Sequence, residues 1–454
     1  MAQQPSRLTL DEALASSAKE TKRRYSSFVN PELASLLALL GLDRKFVRAQ
    51  GCVITDVEGR DYLDCLGGYG ALNLGHNHPE ITAVLSRVSE APNFLQVSLS
   101  PLAAALAETL AAVSPGELRM SFFGNSGAEA VEGALKLARA ATGRPRLLYC
   151  EGSFHGKSFG ALSVTGRVRF RERFEPLLPG CEAVPYGDAA ALREALGRGD
   201  CAAFIVEPIQ GEGGIIVPPD GYLKDAERAC REASALLIVD EIQTGFGRTG
   251  RLFASEWDGA HPDIMVVAKS LGGGVMPIGA YVAREDVWKR AYGTRESCVL
   301  HTSTFGGNAR ACAVGLKAVE IIERDRLSEQ AERKGARLLQ RLNEIASRSR
   351  IVKTVRGRGL LIGVEFAESR VARGLSKEYL ASMVAGLLLS EHQIITAYTL
   401  NNPNVIRFEP PLIIADDDLE RVADAFEQVC TSHRGLLGVS ADLGRSVIAG
   451  RLRH

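Results

Sequence analysis

The sequence predicts an α/β fold built around a mainly parallel β-sheet, and two observations support that prediction. Between about residues 100 and 310, short apolar runs rich in β-branched residues alternate with amphipathic segments, the pattern of repeated βαβ units. Two of these runs are followed directly by an ionisable residue, residues 235–239 by Asp240 and residues 264–268 by Lys269. Such runs are typical of strands buried on both faces, and open α/β sheets bind ligands beyond the carboxyl ends of their strands.

Length and composition limit the class of protein. The chain has 454 residues, 46% of them hydrophobic, which is enough for a large core in two or three domains or one large domain with a smaller companion. Lys+Arg and Asp+Glu number 54 each, which argues against nucleic-acid or membrane-surface binding driven by bulk charge. Nine scattered cysteines without a C-x-x-C pair favour reduced thiols over a disulfide framework or a zinc site. With no signal-peptide pattern and no bilayer-length apolar run, we expect a soluble, cytoplasmic protein.

The order of predicted elements indicates a large domain and a smaller one made from both ends of the chain. Residues 1–50 are interpreted as an N-terminal helical segment that belongs to the small domain or to a dimer contact. Residues 51–99, with two strands around a tight turn, are expected to begin the small domain. Residues 100–330 are predicted to form the large, ligand-binding domain. Residues 331–454 carry a long charged helix and short strands, and we interpret them as the C-terminal, α+β part of the small domain.

Asp240 and Lys269 together provide the chemistry that pyridoxal 5'-phosphate (PLP) requires. A lysine holds the aldehyde of PLP as a Schiff base, and a carboxylate keeps its pyridine nitrogen protonated so that the ring accepts electrons. Ser126, Gly127 and Ala128 follow another apolar run and open a predicted helix. A helix N-terminus of this kind is able to hold a phosphate, although an ordinary helix cap is the alternative interpretation.

Two more predicted strand ends carry candidate residues. Phe154 lies in a glycine-punctuated loop after one of them and is a candidate for stacking on a cofactor ring, although a loop phenylalanine is more often part of a core. Glu207 and Glu212 follow the other, where the ordinary interpretation is surface charge. Because four successive strand ends carry polar groups at the edge where the crevice lies, we favour a ligand site over coincidence.

These residues lie in motifs that resemble those of the class III (omega) aminotransferases of PLP fold type I. The resemblance extends from about residue 50 to about residue 430 and rests on N-S-G-A-E-A, S-F-H-G-K, E-P-I-Q-G-E-G-G, D-E-I-Q-T-G-F-G-R-T-G, A-K-S-L-G-G-G, H-T-S-T-F-G-G-N and I-R-F-E-P-P-L. Within the class, L-H-T-S-T-F-G-G-N and T-L-N-N-x-x-x-I-R-F-E-P-P-L are most similar to putrescine aminotransferases. The resemblance implies a large domain with a seven-stranded, mainly parallel sheet, a smaller α+β domain, PLP as cofactor and an obligate homodimer.

The resemblance also implies a role for each matching residue. The catalytic pair would be Lys269, as the Schiff-base lysine, and Asp240, as the partner of the pyridinium nitrogen. In the substrate site, Tyr69 would line the pocket, Arg407 would bind an α-carboxylate, and Glu212 would pair with Arg407 when no carboxylate is present. The other implied cofactor contacts are Ser126, Gly127 and Ala128 at the phosphate, Phe154 on the ring with His155 beside it, Gln243 at the phenolic oxygen, Glu207 nearby, and Thr304, which would reach the phosphate of the other subunit.

The implied reaction is transamination of a terminal primary amine, such as a putrescine-like diamine, to an aldehyde, with 2-oxoglutarate or pyruvate as amino acceptor. Lys157 stands where ornithine and acetylornithine aminotransferases carry arginine. Lysine offers only a point charge to a second carboxylate, which disfavours amino-acid donors such as ornithine. Residues 28–34 look more like aminotransferases that aminate fatty or polyketide-derived aldehydes in secondary metabolism, so that donor class stays open as an alternative.

Other functions stay open as well. An ornithine- or acetylornithine-type aminotransferase is one alternative. A PLP aminomutase of the glutamate-semialdehyde type is another, although it would not be expected to carry the Glu212–Arg407 pair. A cofactor-binding protein without turnover would tolerate loss of Lys269. We expect small-molecule substrates and no metal, nucleic-acid or membrane partner, and the absence of a G-x-G-x-x-G at a strand–helix junction disfavours a nicotinamide-binding domain.

Overall fold

The structure is a computed structural model that describes residues 6–39, 41–93, 98–367 and 379–432. Its helices are α1 (Leu10–Ala15), α2 (Ala18–Phe28), α3 (Pro31–Leu39), α4 (Gly67–Gly70), α5 (Pro79–Arg87), α6 (Pro101–Val113), α7 (Gly127–Thr142), α8 (Phe159–Ser163), α9 (Val168–Arg171), α10 (Ala189–Leu196), α11 (Tyr222–Glu232), α12 (Glu285–Tyr292), α13 (Ala309–Arg324), α14 (Leu327–Arg348), α15 (Tyr379–His392) and α16 (Asp416–Ser432). Its strands are β1 (Phe46–Gln50), β2 (Val53–Asp56), β3 (Asp61–Asp64), β4 (Leu118–Gly124), β5 (Arg146–Cys150), β6 (Cys181–Val184), β7 (Cys201–Val206), β8 (Leu236–Asp240), β9 (Ile264–Val267), β10 (Gly279–Arg284), β11 (Val352–Arg358), β12 (Leu361–Phe366), β13 (Ile394–Ile395), β14 (Ala397–Tyr398) and β15 (Val405–Phe408).

Seven strands form the central sheet in the order β4-β10-β9-β8-β7-β5-β6. Strand β10 runs antiparallel to both of its neighbours, and every other adjacent pair is parallel. Strands β5, β7, β8 and β9 are buried along their whole length, because helices cover a parallel sheet on both faces. The prediction of a seven-stranded, mainly parallel sheet is therefore confirmed.

Helix α7 begins at the edge of the sheet where ligands bind in α/β folds. It begins immediately after β4, with Ser126 as its N-cap, and it ends at Gly143, whose φ of 66° is the left-handed conformation common at helix C-termini. Its apolar side chains, Val131 and Leu135 among them, pack in one buried cluster with residues of β5, β7 and β9. This packing fixes the N-terminus of α7 beside the carboxyl ends of the strands.

Two smaller four-stranded sheets are built from strands that precede or follow those of the central sheet in the chain. Their orders are β1-β2-β3-β13 and β11-β12-β15-β14. Residues from both ends of the chain share the first of them, since β13 pairs in parallel with β3. Strand β15, which carries Arg407, pairs antiparallel with β12. The proposed division of the chain into domains stays a prediction, and residues 433–454 of its last part lie outside the described residues.

The N-terminal segment is not helical throughout. Helices α1 to α3 account for its first part, but Phe46–Gln50 forms β1, so the interpretation of residues 1–50 as a helical segment is wrong at its end. The physical reason is a hairpin: β1 pairs antiparallel with β2 through a two-residue loop, and Gly51 supplies the positive φ of 59° that such a tight turn requires. Five residues of mixed polarity carry too little periodicity to indicate that pairing.

Within the part of the chain that the structure describes, no helix combines the length and the apolar character needed to cross a bilayer. The expected compartment stays a prediction.

Candidate active site

The carboxyl edge of the central sheet opens into a cavity of about 490 Å³. Strands β4, β5, β7, β8 and β9 all point their carboxyl ends toward this edge. The predicted site residues that line the cavity are Ser126, Gly127, Ala128, Phe154, His155, Glu207, Asp240, Gln243 and Lys269. Residues up to 143 positions apart in the chain are thereby brought to one place, as the positions of the strand ends predict.

Asp240 is held in one orientation by its neighbours. It is the last residue of β8 and is only 4% exposed. Its Oδ2 accepts a hydrogen bond from Nδ1 of His155 at 2.7 Å, and its Oδ1 accepts one from the backbone N–H of Ile242 at 3.0 Å. The backbone N–H of His155 in turn donates to Thr165 Oγ1 at 3.1 Å. These bonds fix the carboxylate at the cavity wall, where it can pair with a cationic ring nitrogen.

Lys269 follows β9 and lines the same cavity. Its φ of 49° is left-handed, a conformation that costs a residue with a side chain about 1–3 kcal/mol and that tends to occur at functional positions. Burial lowers the pKa of its ammonium group, while Glu409 and Glu212 oppose that effect. A lysine with a lowered pKa becomes neutral more readily, which is the state in which an amine acts as nucleophile or base.

The N-terminus of α7 provides an anion site. Ser126 Oγ accepts from the backbone N–H of Glu129 at 3.2 Å, so its side chain caps the helix while the first backbone N–H groups have no partner within the helix. Gly127 leaves room for close packing, because a Cβ there would lie 2.7 Å from Cδ1 of Ile242. The helix cap and a phosphate contact are compatible, because the cap uses the side chain and the anion uses backbone N–H groups.

Glu207 fixes the loop that carries Phe154. Its two oxygens accept from the backbone N–H groups of Phe154 at 2.9 Å and Gly211 at 3.1 Å. Burial raises the pKa of Glu207 to about 7, and the nearby Asp240 carboxylate adds to the effect while His155 opposes it. The candidate role near the cofactor is thus accompanied by a clear structural one, which is to hold the backbone of Phe154 at the cavity.

Arg407, Glu212 and Tyr69 form a second cluster beside the cavity. Arg407 is fully buried on β15, and its Nη2 donates to Glu212 Oε2 at 2.6 Å. Its guanidinium also lies over the Tyr69 ring at 5.1 Å. Burial alone would raise the pKa of Glu212, but Arg407 and the backbone N–H of Leu400 hold it below its usual value. Nε and Nη1 of Arg407 are buried without a hydrogen-bond partner among the described residues.

A further buried carboxylate, Glu409, did not figure among the sequence-predicted site residues. Both of its oxygens accept from Nε2 of Gln243 at 2.9 Å, and its Oε2 lies 3.6 Å from Nη1 of Arg407. The sequence does contain a signal for it. Glu409 follows Arg407 by two positions in I-R-F-E-P-P-L, and alternation along an extended strand places such residues on one face.

Thr304 is the one predicted site residue that lies away from these clusters. It is exposed and is not among the residues that line the cavity. Three nearby apolar side chains are also largely exposed, namely Val299 (67%), Leu300 (64%) and Phe305 (55%). The contact proposed for Thr304 involves a second subunit and stays a prediction.

The cavity has a complement for three polar groups of PLP, which are the ring nitrogen, the aldehyde and the phosphate. Asp240 would pair with the ring nitrogen, Lys269 would supply the amine for the aldehyde, and the N-terminus of α7 would hold the phosphate. Gly156 brings the Phe154 loop close to that N-terminus, since a Cβ on Gly156 would lie 2.9 Å from Cβ of Ala128. The donor set and the packing therefore fit this cofactor.

Comparison with known proteins establishes the family. The family model Aminotransferase class-III matches residues 42–430. This chain belongs to the class III aminotransferases. The class is PLP-dependent, so this aminotransferase uses PLP. It is 40% identical to aminotransferase PigE of Serratia sp. (strain ATCC 39006) over 91% of the chain, and it spans about half of that relative, 53% of its length.

Solved structures of similar aminotransferases share the fold of this enzyme. The ornithine aminotransferase of Toxoplasma gondii, in a structure with partial occupancy of PLP at its active site, is 32% identical with a TM-score of 0.84, covering 97% of this chain and 100% of that one. An amine transaminase from an uncultivated Pseudomonas species, in a PLP-bound form, is 28% identical with a TM-score of 0.77, covering 85% and 94%. The prediction of PLP fold type I is thus confirmed.

Proposed function

We propose that this aminotransferase moves the amino group of a terminal primary amine, such as a putrescine-like diamine, to 2-oxoglutarate or pyruvate and releases an aldehyde. The observation that carries the proposal is the buried ion pair between Arg407 and Glu212, whose Nη2 and Oε2 atoms are 2.6 Å apart. An enzyme of this kind has to bind, in turn, a donor without an α-carboxylate and an acceptor with one. The ion pair supplies a means to do both.

The physical reason is the cost of an unpaired buried charge. A buried guanidinium deprived of its partner costs about 3–5 kcal/mol, so a site with Arg407 alone would disfavour any donor that lacks a carboxylate. Glu212 compensates Arg407 while such a donor is bound. When the 2-oxo acid enters, Nη1 and Nε, which have no hydrogen-bond partner among the described residues, are available for its carboxylate. An aminomutase would have no comparable use for this pair.

The chain's own groups account for the proton transfer. When bound, PLP supplies an electron sink that acidifies the substrate carbon bearing the nitrogen. Burial lowers the pKa of Lys269, so Nζ in its neutral form takes the proton from that carbon and returns a proton at the next step. Asp240, oriented by His155 at 2.7 Å, would pair with the ring nitrogen of the bound cofactor. The backbone N–H of Phe154 donates to Glu207 Oε1, and this bond holds Phe154 at the cavity.

Lys157 supports simple amines over amino-acid donors. Its ammonium lies 4.5 Å from the ring centroid of Phe170 and 5.9 Å from that of Phe154, a cation–π arrangement. The side chain thus presents a single charge packed on aromatic faces, without the forked grip that an arginine gives to a second carboxylate. This position is the main reason to expect weaker activity with ornithine than with a diamine.

A second candidate donor class is a long apolar amine or aldehyde of the fatty or polyketide-derived kind. Several large apolar side chains that follow Phe154 in the sequence are mostly exposed, with Phe159 at 65%, Val168 at 69% and Phe174 at 55%. An apolar chain that extends out of the cavity along this surface would gain about 25 cal/mol for each Å² that it buries. The exposed residues therefore favour this class as the alternative to a diamine.

The proposal includes a homodimer in which Thr304 contacts the phosphate site of the partner subunit. The exposed apolar residues Val299, Leu300 and Phe305 support a subunit contact in this segment, because large exposed apolar patches are typical of interfaces.

The test is a product balance with purified enzyme. With putrescine and 2-oxoglutarate, we expect one aldehyde and one glutamate for each amine consumed, and no more than a single turnover of each active site when the keto acid is left out. Repeated turnover without any acceptor would point to an aminomutase, and reaction with ornithine at the same efficiency as with putrescine would contradict the role given to Lys157.

A further inference from the structure

Glu409 is a fully buried carboxylate that lies between the cavity and the cluster formed by Arg407, Glu212 and Tyr69. It immediately follows β15, on the same side of the chain as Arg407. Toward the cofactor side, both of its oxygens accept from Nε2 of Gln243 at 2.9 Å. Toward the substrate side, its Oε2 lies 3.6 Å from Nη1 of Arg407, too far for a hydrogen bond but close enough for an ion pair. Gln243 itself lines the cavity.

The surrounding backbone is shaped to receive this carboxylate. Gly67 and Gly70 have left-handed φ values of 56° and 83°, so the turn they form favours glycine. A Cβ on Gly70 would lie 2.5 Å from Oε1 of Glu409, and a Cβ on Gly67 would collide with the Glu409 carbonyl oxygen. The Glu409 backbone N–H donates to the carbonyl of Cys65 at 2.8 Å. The side chain is therefore fixed, in contrast to a partner that has to move away during turnover.

We propose that Glu409 is a positioning residue that determines donor specificity. It is a fixed carboxylate that faces Nη1 of Arg407, a nitrogen without a hydrogen-bond partner among the described residues. In this position it selects donors without an α-carboxylate and holds the Gln243 amide at the cavity wall. The inference rests on the proposed function, because it explains how the same site favours an amine. A carboxylate that binds Arg407 through Nη1 has to share that nitrogen with Glu409. Two like charges on one cation repel, so Glu409 weakens carboxylate binding and leaves the Arg407–Glu212 pair preferred.

The bond to Gln243 extends the effect of Glu409 to the cofactor side. A carboxylate oxygen only accepts hydrogen bonds, so Glu409 requires the Gln243 amide to present its NH₂ group. One N–H is shared between the two oxygens of Glu409, and the other is available to a group in the cavity. The phenolic oxygen of PLP is the acceptor that the family resemblance assigns to Gln243. Glu409 thereby determines which end of the amide that oxygen meets.

The experiment compares Glu409→Gln, Glu409→Asp and the wild type as PLP-loaded enzymes. Glutarate serves as a carboxylate probe, with its affinity measured from the change in cofactor absorbance, and putrescine and dodecylamine serve as donors in single turnovers. Glu227→Gln is the matched control, since Glu227 is a buried, ion-paired carboxylate on α11 that does not line the cavity. Melting temperature and bound PLP show whether each variant is folded and loaded.

With Glu409→Gln, we expect glutarate to bind about tenfold more tightly, because Glu409 repels a carboxylate, and kcat/KM for the amine to fall about tenfold, because Glu409 attracts a cation. Changes of about tenfold are on the scale of losing one close charge–charge interaction. The absorption spectrum of bound PLP should shift too, because the Gln243 amide is no longer fixed. Glu409→Asp keeps the charge and should stay nearer the wild type, and Glu227→Gln should match it. If Glu409→Gln does not fold, Glu409→Ala carries the same expectation for glutarate.

A folded, loaded Glu409→Gln enzyme that binds glutarate no better than the wild type would overturn the inference. So would an equal change in Glu409→Asp, because charge would then not be the cause. Failure of the proposed function looks different. In that case the wild type itself would not react with either amine, whereas the glutarate comparison would still report on the charge of Glu409.

Discussion

Replacing Glu212 with glutamine tests whether the carboxylate of the 2-oxo acid competes with Glu212 for Arg407. In the wild type, the incoming carboxylate of the 2-oxo acid competes for the guanidinium with Glu212, whose Oε2 accepts from Nη2 of Arg407 at 2.6 Å and from the backbone N–H of Leu400 at 2.8 Å. Glutamine retains the shape and can still accept from Leu400. It loses the charge, and therefore competes less strongly for the guanidinium.

The size of the effect follows from the geometry. A hydrogen bond to a charged group contributes about 1.5–3 kcal/mol, and every 1.4 kcal/mol changes an equilibrium tenfold. We therefore expect KM for 2-oxoglutarate to fall by about tenfold in Glu212→Gln.

The same substitution should also lower the stability of the fold. Removing one partner of a buried pair costs about 3–5 kcal/mol of stability, and the loss in Glu212→Gln should lie near the lower end of that range because Glu409 remains 3.6 Å from Nη1 of Arg407. For a chain of this size that lowers the melting temperature by about 3 °C.

The assay follows each half-reaction separately by stopped-flow absorbance of the cofactor. The amine half-reaction of Glu212→Gln should slow, since a cationic donor now meets an extra uncompensated positive charge, while the 2-oxo-acid half-reaction should improve at low substrate. Glu227→Gln again serves as the isosteric control. An unchanged or higher KM for 2-oxoglutarate, or equal damage to both half-reactions in a folded enzyme, would refute the competition between Glu212 and the substrate carboxylate.

Three further changes probe other parts of the site. Lys269→Ala should keep some PLP through the contacts at the N-terminus of α7 but lose turnover, and any substantial activity in the purified variant would contradict its assigned role. Thr304→Ala should weaken PLP binding, measured by dialysis, and in dimers mixed with Lys269→Ala the recovered activity should show whether Thr304 serves the partner's site. Because burial raises the pKa of Glu207 from 4.5 to about 7, the folded apoenzyme binds a proton more tightly than the unfolded chain, so this residue's contribution to stability falls as pH rises from about 4.5 through 7. Thermal melts of Glu207→Gln between pH 4.5 and 8 should show a flatter dependence than the wild type, and identical slopes would rule out this titration.

The strand-end residues were predictable from the sequence because a parallel sheet imposes their geometry. Asp240 and Lys269 each follow an apolar run, and parallel strands bring their carboxyl ends to one edge. The same reasoning placed Glu207 at that edge. In each case the signal is local, since a few apolar residues identify the strand and the next polar residue is the candidate.

Other parts of the site depend on contacts that no local pattern reveals. Glu409 contacts Gln243, which lies 166 positions away in the chain. The space for the Glu409 side chain exists because the glycine-rich turn around Tyr69 adopts left-handed conformations. The side-chain bond from His155 to Asp240 likewise joins a loop residue to the end of a strand 85 positions away. Strand β1 was missed because its pairing partner, and not its own composition, makes it a strand.

The most direct measurement is a single-turnover spectrum of the PLP-loaded enzyme with one donor at a time and no acceptor. Putrescine, a long-chain alkylamine, ornithine and glutamate would each be mixed with the enzyme, and the conversion of the cofactor from its aldehyde form to its amine form would be followed by absorbance. Since Glu212 compensates Arg407 when the donor lacks an α-carboxylate, we predict rapid conversion by putrescine or the alkylamine. We predict slow conversion by ornithine, because Lys157 offers only a point charge to a second carboxylate. Conversion by ornithine and glutamate alone, with neither simple amine reacting, would contradict the proposed function.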